Sequence, residues 1–420
     1  MSTPPEPGRL TLHRRAFLIG GLSATAATAA LAAPSALAAG TNRACCPTRI
    51  AAPIEPAQVS LRDTAIGNQQ AMAMARRSST IMRLNELALQ FAADLPDDQV
   101  RQATLDLLRN PAPSYQLRSP SPTDKAAVRA ELLEAGLIPD RTNVEGIFPP
   151  VADPSQAPQA FWSAPGSTYT GHHAFPGGLL VHEWFNAQMA RQFATTYDEV
   201  YGLASGPGAI DVSIAYAAPL WHDIHKVTVN QWNPDGSEFI EQVIADTGGH
   251  HPLSGAEAIV RGMSPDFVIA LLSAHDAPTN INSNPTQTGL QRLVNYIRAA
   301  AIIARVDPVE TGLLVSTPDG GFGLVQNPPR VEGHIDHLSD HDFVFSIDSA
   351  VLLVQTLKQL APTYGIDPAA EPARFNLFRN TVLSQVPDMR LYGFLQVGGA
   401  DAVKSAIDRE VDFAGVLDRK

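Results

Sequence analysis

Eleven of the chain's twelve histidines fall between His172 and His341, where a uniform spread would put about five. Imidazole is the commonest metal ligand, so this stretch carries the chain's best metal-binding material. It begins at Gly171-His172-His173-Ala174-Phe175-Pro176-Gly177-Gly178, with His182 just beyond, and continues at His222-Asp223-Ile224-His225-Lys226. Gly248-Gly249-His250-His251-Pro252, His275-Asp276 and Val306-Asp307-Pro308 follow. The His-Asp dipeptide decides nothing alone, because it recurs at 222, 275 and 341. The informative feature is the order His, His-Asp-x-x-Lys, His, His, Asp, each member on its own predicted helix and most at a helix end or glycine turn. Neutral imidazoles and carboxylates without thiolates suit one or two ions of Mn, Fe, Zn, Co or Ni. The two cysteines, Cys45 and Cys46, are adjacent and build neither a disulfide framework nor a Cys-rich zinc site.

These side chains need helices to carry them. Apolar spacing of three and four predicts two or three helices between Leu61 and Leu108, and others at Asp124 to Ala135, Leu179 to Phe193, Ile214 to His225, Pro252 to Arg261, Pro265 to His275 and Leu290 to Val306. Two more follow at Ser349 to Leu360 and in the last forty residues. On a shared helix His222 and Asp223 stand about 100° apart, with Lys226 on the same face. Two β-hairpins are expected. Val227 to Trp232 with Phe239 to Ile244 would flank Asn233-Pro234-Asp235-Gly236, and Leu313 to Ser316 with Phe322 to Val325 would flank Pro318-Asp319-Gly320-Gly321. The run Glu332 to Asp342 is rich in His and Asp but reads as a solvated loop, a candidate lid.

The histidine order resembles the HD-domain superfamily of metal-dependent phosphohydrolases over roughly residues 170 to 310. The resemblance implies a mainly α fold: a helical bundle with small hairpin insertions, occupying residues 161–345, and extra helices in 39–160 and 346–420. It implies metal ligation by His182, His222, Asp223, His251, His275 and Asp307, with Asp223 bridging two ions. The resemblance prefers His251 over His250, because His251 stands four residues before Gly255, where family members with His-x-x-x-Gly-Ala place the ligand. Asp223 and Lys226 would be catalytic, and Lys226, His172, His173 and His225 would meet a small anionic substrate, a phosphoester. At position 225 the family commonly has Gly, so His225 departs from its pattern. The same ligands also serve HD-type di-iron oxygenases similar to myo-inositol oxygenase, and a non-catalytic regulatory module is a third reading.

Composition bounds the partners. With 30 Lys+Arg against 42 Asp+Glu the formal charge is −12, which argues against extended tracking of nucleic acid. Leu12-His13-Arg14-Arg15-Ala16-Phe17-Leu18, an Ala/Thr/Gly-rich stretch and Ala36-Leu37-Ala38 resemble a twin-arginine export signal over residues 1–38. The expected partner there is the twin-arginine machinery, the expected location periplasmic or extracellular, and no stable membrane anchor is expected.

Overall fold

A computed structural model describes residues 61–169, 171–279, 288–326 and 328–416. The expected signal at 1–38, its cleavage site and the Cys45-Cys46 pair lie outside the described residues. Thirteen helices of eight residues or more appear among the described ones: α1 Leu61–Arg77, α2 Ser79–Ala93, α3 Asp98–Arg109, α4 Pro122–Glu134, α5 Gly178–Tyr201, α6 Val212–Trp221, α7 His250–Val260, α8 Pro265–Leu272, α9 Gly289–Ala304, α10 Val331–Ser339, α11 Phe343–Leu360, α12 Pro372–Gln385 and α13 Asp388–Glu410. The fold is mainly α, as expected.

Polar residues just ahead of the apolar runs start many of these helices. Ser121 accepts from the Asp124 amide while the Asp124 carboxylate accepts from the Ser121 amide, with Pro122 opening α4. Asp211 accepts from the Ser213 and Ile214 amides at the head of α6, and Ser264 and Thr288 cap α8 and α9 in the same way.

Helices α5 to α9 enclose the larger core, built from residues such as Leu179, Leu180, Trp221, Leu253, Phe267, Leu272 and Ile297. A second apolar cluster joins α11, α12 and α13 through Leu353, Leu357, Phe378 and Ile407. Phe175, from the glycine-rich turn ahead of α5, is buried in that second cluster. Its burial ties the His172-His173 turn to the C-terminal helices.

Strands are few. Β-strands β3 Leu314–Ser316 and β4 Phe322–Leu324 form the expected second hairpin, with Leu314 opposite Leu324. The first hairpin does not form as expected: Lys226–Val229 is a single helical turn, and Trp232 and Glu238 make only an isolated bridge. Instead β1 Val243–Ile244 pairs with β2 Thr247–Gly248 through a tight turn at Ala245 and Asp246, both in left-handed backbone. The Asn233 to Gly236 turn survives, because Arg379 and Asn380 of α12 hold it from outside. Asn380 Nδ2 donates to Gly236 O, and Arg379 pairs with Glu238 at 2.6 Å in full burial.

Arg379 also lies over the Tyr169 ring at 4.6 Å. Arg379→Ala would leave the buried Glu238 carboxyl with the Tyr169 amide but without its ion-pair partner, so that it stays charged at a cost or protonates. Chemical denaturation is expected to show a loss of about 3–5 kcal/mol; a change below about 1 kcal/mol would mean that water reaches the pair.

Candidate metal centre

Helix α6 stops at Trp221 for a local reason that also builds the site. Pro219 sits in its last turn, and the carbonyl of Pro219 would normally accept from the Asp223 amide. That amide donates instead to Glu183 Oε1 at 3.1 Å, and Pro219 O is 3.0 Å from His222 Nδ1. His222 and Asp223 therefore occupy the turn after the helix rather than one helical face. A carbonyl only accepts, so His222 Nδ1 carries a proton, and Nε2 is the nitrogen that could offer its lone pair to a metal.

The same device recurs. Glu241 Oε2 lies 2.6 Å from His250 Nδ1, and Thr247 Oγ1 lies 2.7 Å from His275 Nδ1. Each ring is thus held at Nδ1 with Nε2 turned inward, the usual arrangement behind metal-ligating histidines. The short β1–β2 turn sets Thr247, and Glu241, two residues ahead of β1, reaches the first turn of α7.

The inward atoms converge on the Asp223 carboxylate. On one side His182 Nε2 lies 3.3 Å from Asp223 Oδ2 and 3.1 Å from Asp340 Oδ1, while His222 Nε2 lies 3.4 Å from Asp340 Oδ1. On the other, Asp223 Oδ1 is 2.8 Å from His250 Nε2 and 3.7 Å from His275 Nε2. All six side chains are buried. The groups His182, His222, Asp223; His222, His275, Asp340; and Asp223, His250, His275 each bring their ligand atoms within 4.8 Å of one another. His222 Nε2, His250 Nε2, His275 Nε2 and Asp223 Oδ1 face one another at ion-pair distances but make no well-aligned hydrogen bond among the described residues. Burying such atoms unpaired costs free energy that coordination would recover. These buried clusters have the donors and the spacing to hold a metal ion.

Charge within the cluster is closely balanced. Burial alone would raise the Asp223 carboxyl, but Lys226, His250 and His222 beside it hold it well below the ordinary range. Burial opposes charge on His182, yet Asp223 and Asp340 push its imidazole up to about 9. A divalent cation would take the place of such protons. Lys226 is buried, ion-paired with Asp223, and donates to Gly166 O at 2.5 Å.

Four expectations for the site differ from the structure. His250, not His251, faces Asp223. His251 stacks on the His275 ring at 3.8 Å with its Nε2 3.1 Å from Leu272 O, because successive residues on α7 point about 100° apart. Asp307 is exposed, and its carboxylate accepts from the Val309 and Glu310 amides. Asp340 stands in the cluster instead. It can do so because Glu332 to Asp342 is no solvated loop: α10 and the 3-10 turn Asp340–Asp342 place Asp336 and Asp340 four residues apart on one buried face. His225, expected at the substrate, is buried against Glu257, with Nε2 3.6 Å from Oε2, and sits edge-on to Tyr115. His172 and His173 do lie beside the cluster, with the His172 and His182 rings 4.6 Å apart.

Comparison with known proteins finds no matching family model, no matching curated protein and no matching solved structure. The donors themselves therefore carry the assignment. Asp340→Asn is expected to lower the metal content of the purified protein, measured by elemental analysis, whereas Asp307→Asn leaves it unchanged. The opposite pattern would restore Asp307 to the ligand set.

Proposed function

We propose that this chain is an exported HD-type phosphohydrolase that uses a dinuclear metal centre on a small phosphoester. The observation that carries the reading is the Asp223 carboxylate, whose two oxygens face two separate sets of imidazoles. His182, His222 and Asp340 would hold one ion with Asp223 Oδ2, and His250 and His275 the other with Oδ1. When bound, a pair of divalent ions supplies Lewis-acid polarisation of a phosphoryl oxygen and a water acidic enough to ionise near neutral pH.

The chain's own groups do the rest. Asp223 would bridge the two ions and is kept ionised by Lys226, His250 and His222 beside it. Glu183, whose Oε2 lies 3.3 Å from His222 Nδ1, would orient the ligating rings together with Glu241 and Thr247. Lys226 adds a fixed positive charge in a buried setting, where opposition to developing phosphate charge is least screened. In an acidic chain the metal and Lys226 would then supply the positive charge that holds an anionic substrate. Outside the cytoplasm the substrate would be one that reaches the protein after export.

The test is a set of assays on the full chain loaded separately with Mn2+, Zn2+ or Fe2+, scoring release from p-nitrophenyl phosphate, bis-p-nitrophenyl phosphate and nucleotides. At least one metal form is expected to turn over. Asp223→Ala should abolish metal binding and activity together, and Lys226→Met should lower kcat by about 10²–10³-fold. Dioxygen consumption by the iron form, with no phosphoester cleaved, would replace this reading with an HD-type oxygenase.

A further inference from the structure

We propose a third metal position beside the dinuclear centre, held by His172, His173 and His182. The three residues bring ligand atoms within 4.8 Å of one another, and all are buried. The Nδ1 atoms of His172 and His173 stand 3.4 Å apart. At that distance the two rings share at most a long hydrogen bond, past the roughly 2.7–3.2 Å of a good one. It is also the separation of two nitrogens each about 2.1 Å from one tetrahedral ion, about 3.4 Å.

The third donor is His182. Its Nε2 faces Asp223 and Asp340, while its Nδ1 is buried without a hydrogen-bond partner among the described residues. If both of its nitrogens served, His182 would act as an imidazolate, its last ring proton passing to solvent. The third position therefore depends on the neighbouring centre binding metal, because His182 is common to both.

The turn is built to hold the pair. His173 has φ +56°, a costly conformation for a side chain with a Cβ. Its amide donates to Asp388 Oδ2 at 3.2 Å, and its carbonyl accepts from Gly166 N at 2.9 Å. A Cβ on Gly178 would lie 1.8 Å from His173 O, so only glycine permits that approach. Asp342 Oδ2 and Asp388 Oδ1 stand 3.7 and 3.8 Å from His173 Nε2. Two carboxylates on that side favour the proton on Nε2 and leave Nδ1 as the donor. Three imidazoles without a carboxylate favour Zn, Ni or Cu over Mg or Mn.

The full chain, stripped with a chelator, reloaded with Zn2+ and desalted, is analysed for zinc per chain. The wild type is expected to hold three ions. His172→Gln and His173→Asn, the latter chosen because Asn tolerates left-handed backbone, should each hold two with unchanged helical circular dichroism. Two ions in the wild type, or three in either variant, overturns the third position while leaving the dinuclear reading standing. One zinc or none in the wild type overturns both. Should a variant lose its helical signal, anomalous diffraction at the zinc edge on wild-type crystals decides, and the absence of a peak between His172 and His173 overturns the proposal.

Discussion

The buried carboxylate of Asp223 is the constraint around which this molecule is arranged. An isolated ionised carboxylate out of water costs several kcal/mol. Here Lys226 pairs with it, and His182, His222, His250 and His275 surround both of its oxygens. The neighbours keep it charged, and its two oxygens divide them into two sets. Removing either the charge or its partners would leave the other uncompensated in the core.

That requirement reaches outward through the backbone. The Asp223 amide turns to Glu183 and leaves the Pro219 carbonyl to His222, so α6 ends where His222 and Asp223 must turn inward. The tight β1–β2 turn delivers Thr247 to His275, and Glu241 reaches both the ring and the amide of His250. On the far side, Asp340 arrives from the end of α10, and Asp388 at the start of α13 fixes the His173 amide. The C-terminal helices are therefore part of the site's wall, and Phe175 anchors the histidine turn in their core.

The run Val331–Tyr364 is long and apolar enough, by composition, to cross a membrane. Its buried face carries Asp336 and Asp340, and burial pushes the Asp336 carboxyl well above its ordinary range. Those carboxyl groups lie toward the histidine cluster, while 44% of the stretch's most apolar window is buried and Val344, Phe345 and Leu352 stay exposed.

Much was legible from residue order alone. The helices at Gly178, His250, Pro265 and Gly289 announce themselves through glycine turns, a Pro at the first position or capping residues, all local signals. His182, His222, Asp223, His275 and Lys226 could be singled out for the same reason, because each stands in a short, recognisable context. What sequence did not determine is which of two neighbouring candidates points inward. His250 and His251 differ only by their angle around α7, and that angle is set by Glu241 on one side and the His275 ring on the other. Asp340 was hidden among His and Asp residues whose helical register appears only once α10 packs against α5 and α6. Asp307 follows a helix as a ligand would, but its carboxylate is taken by the local amides of Val309 and Glu310. Local sequence determined the kinds of donor and most of their carriers; long-range packing decided which donors meet, because convergence depends on the rotation and contact of segments far apart in the chain.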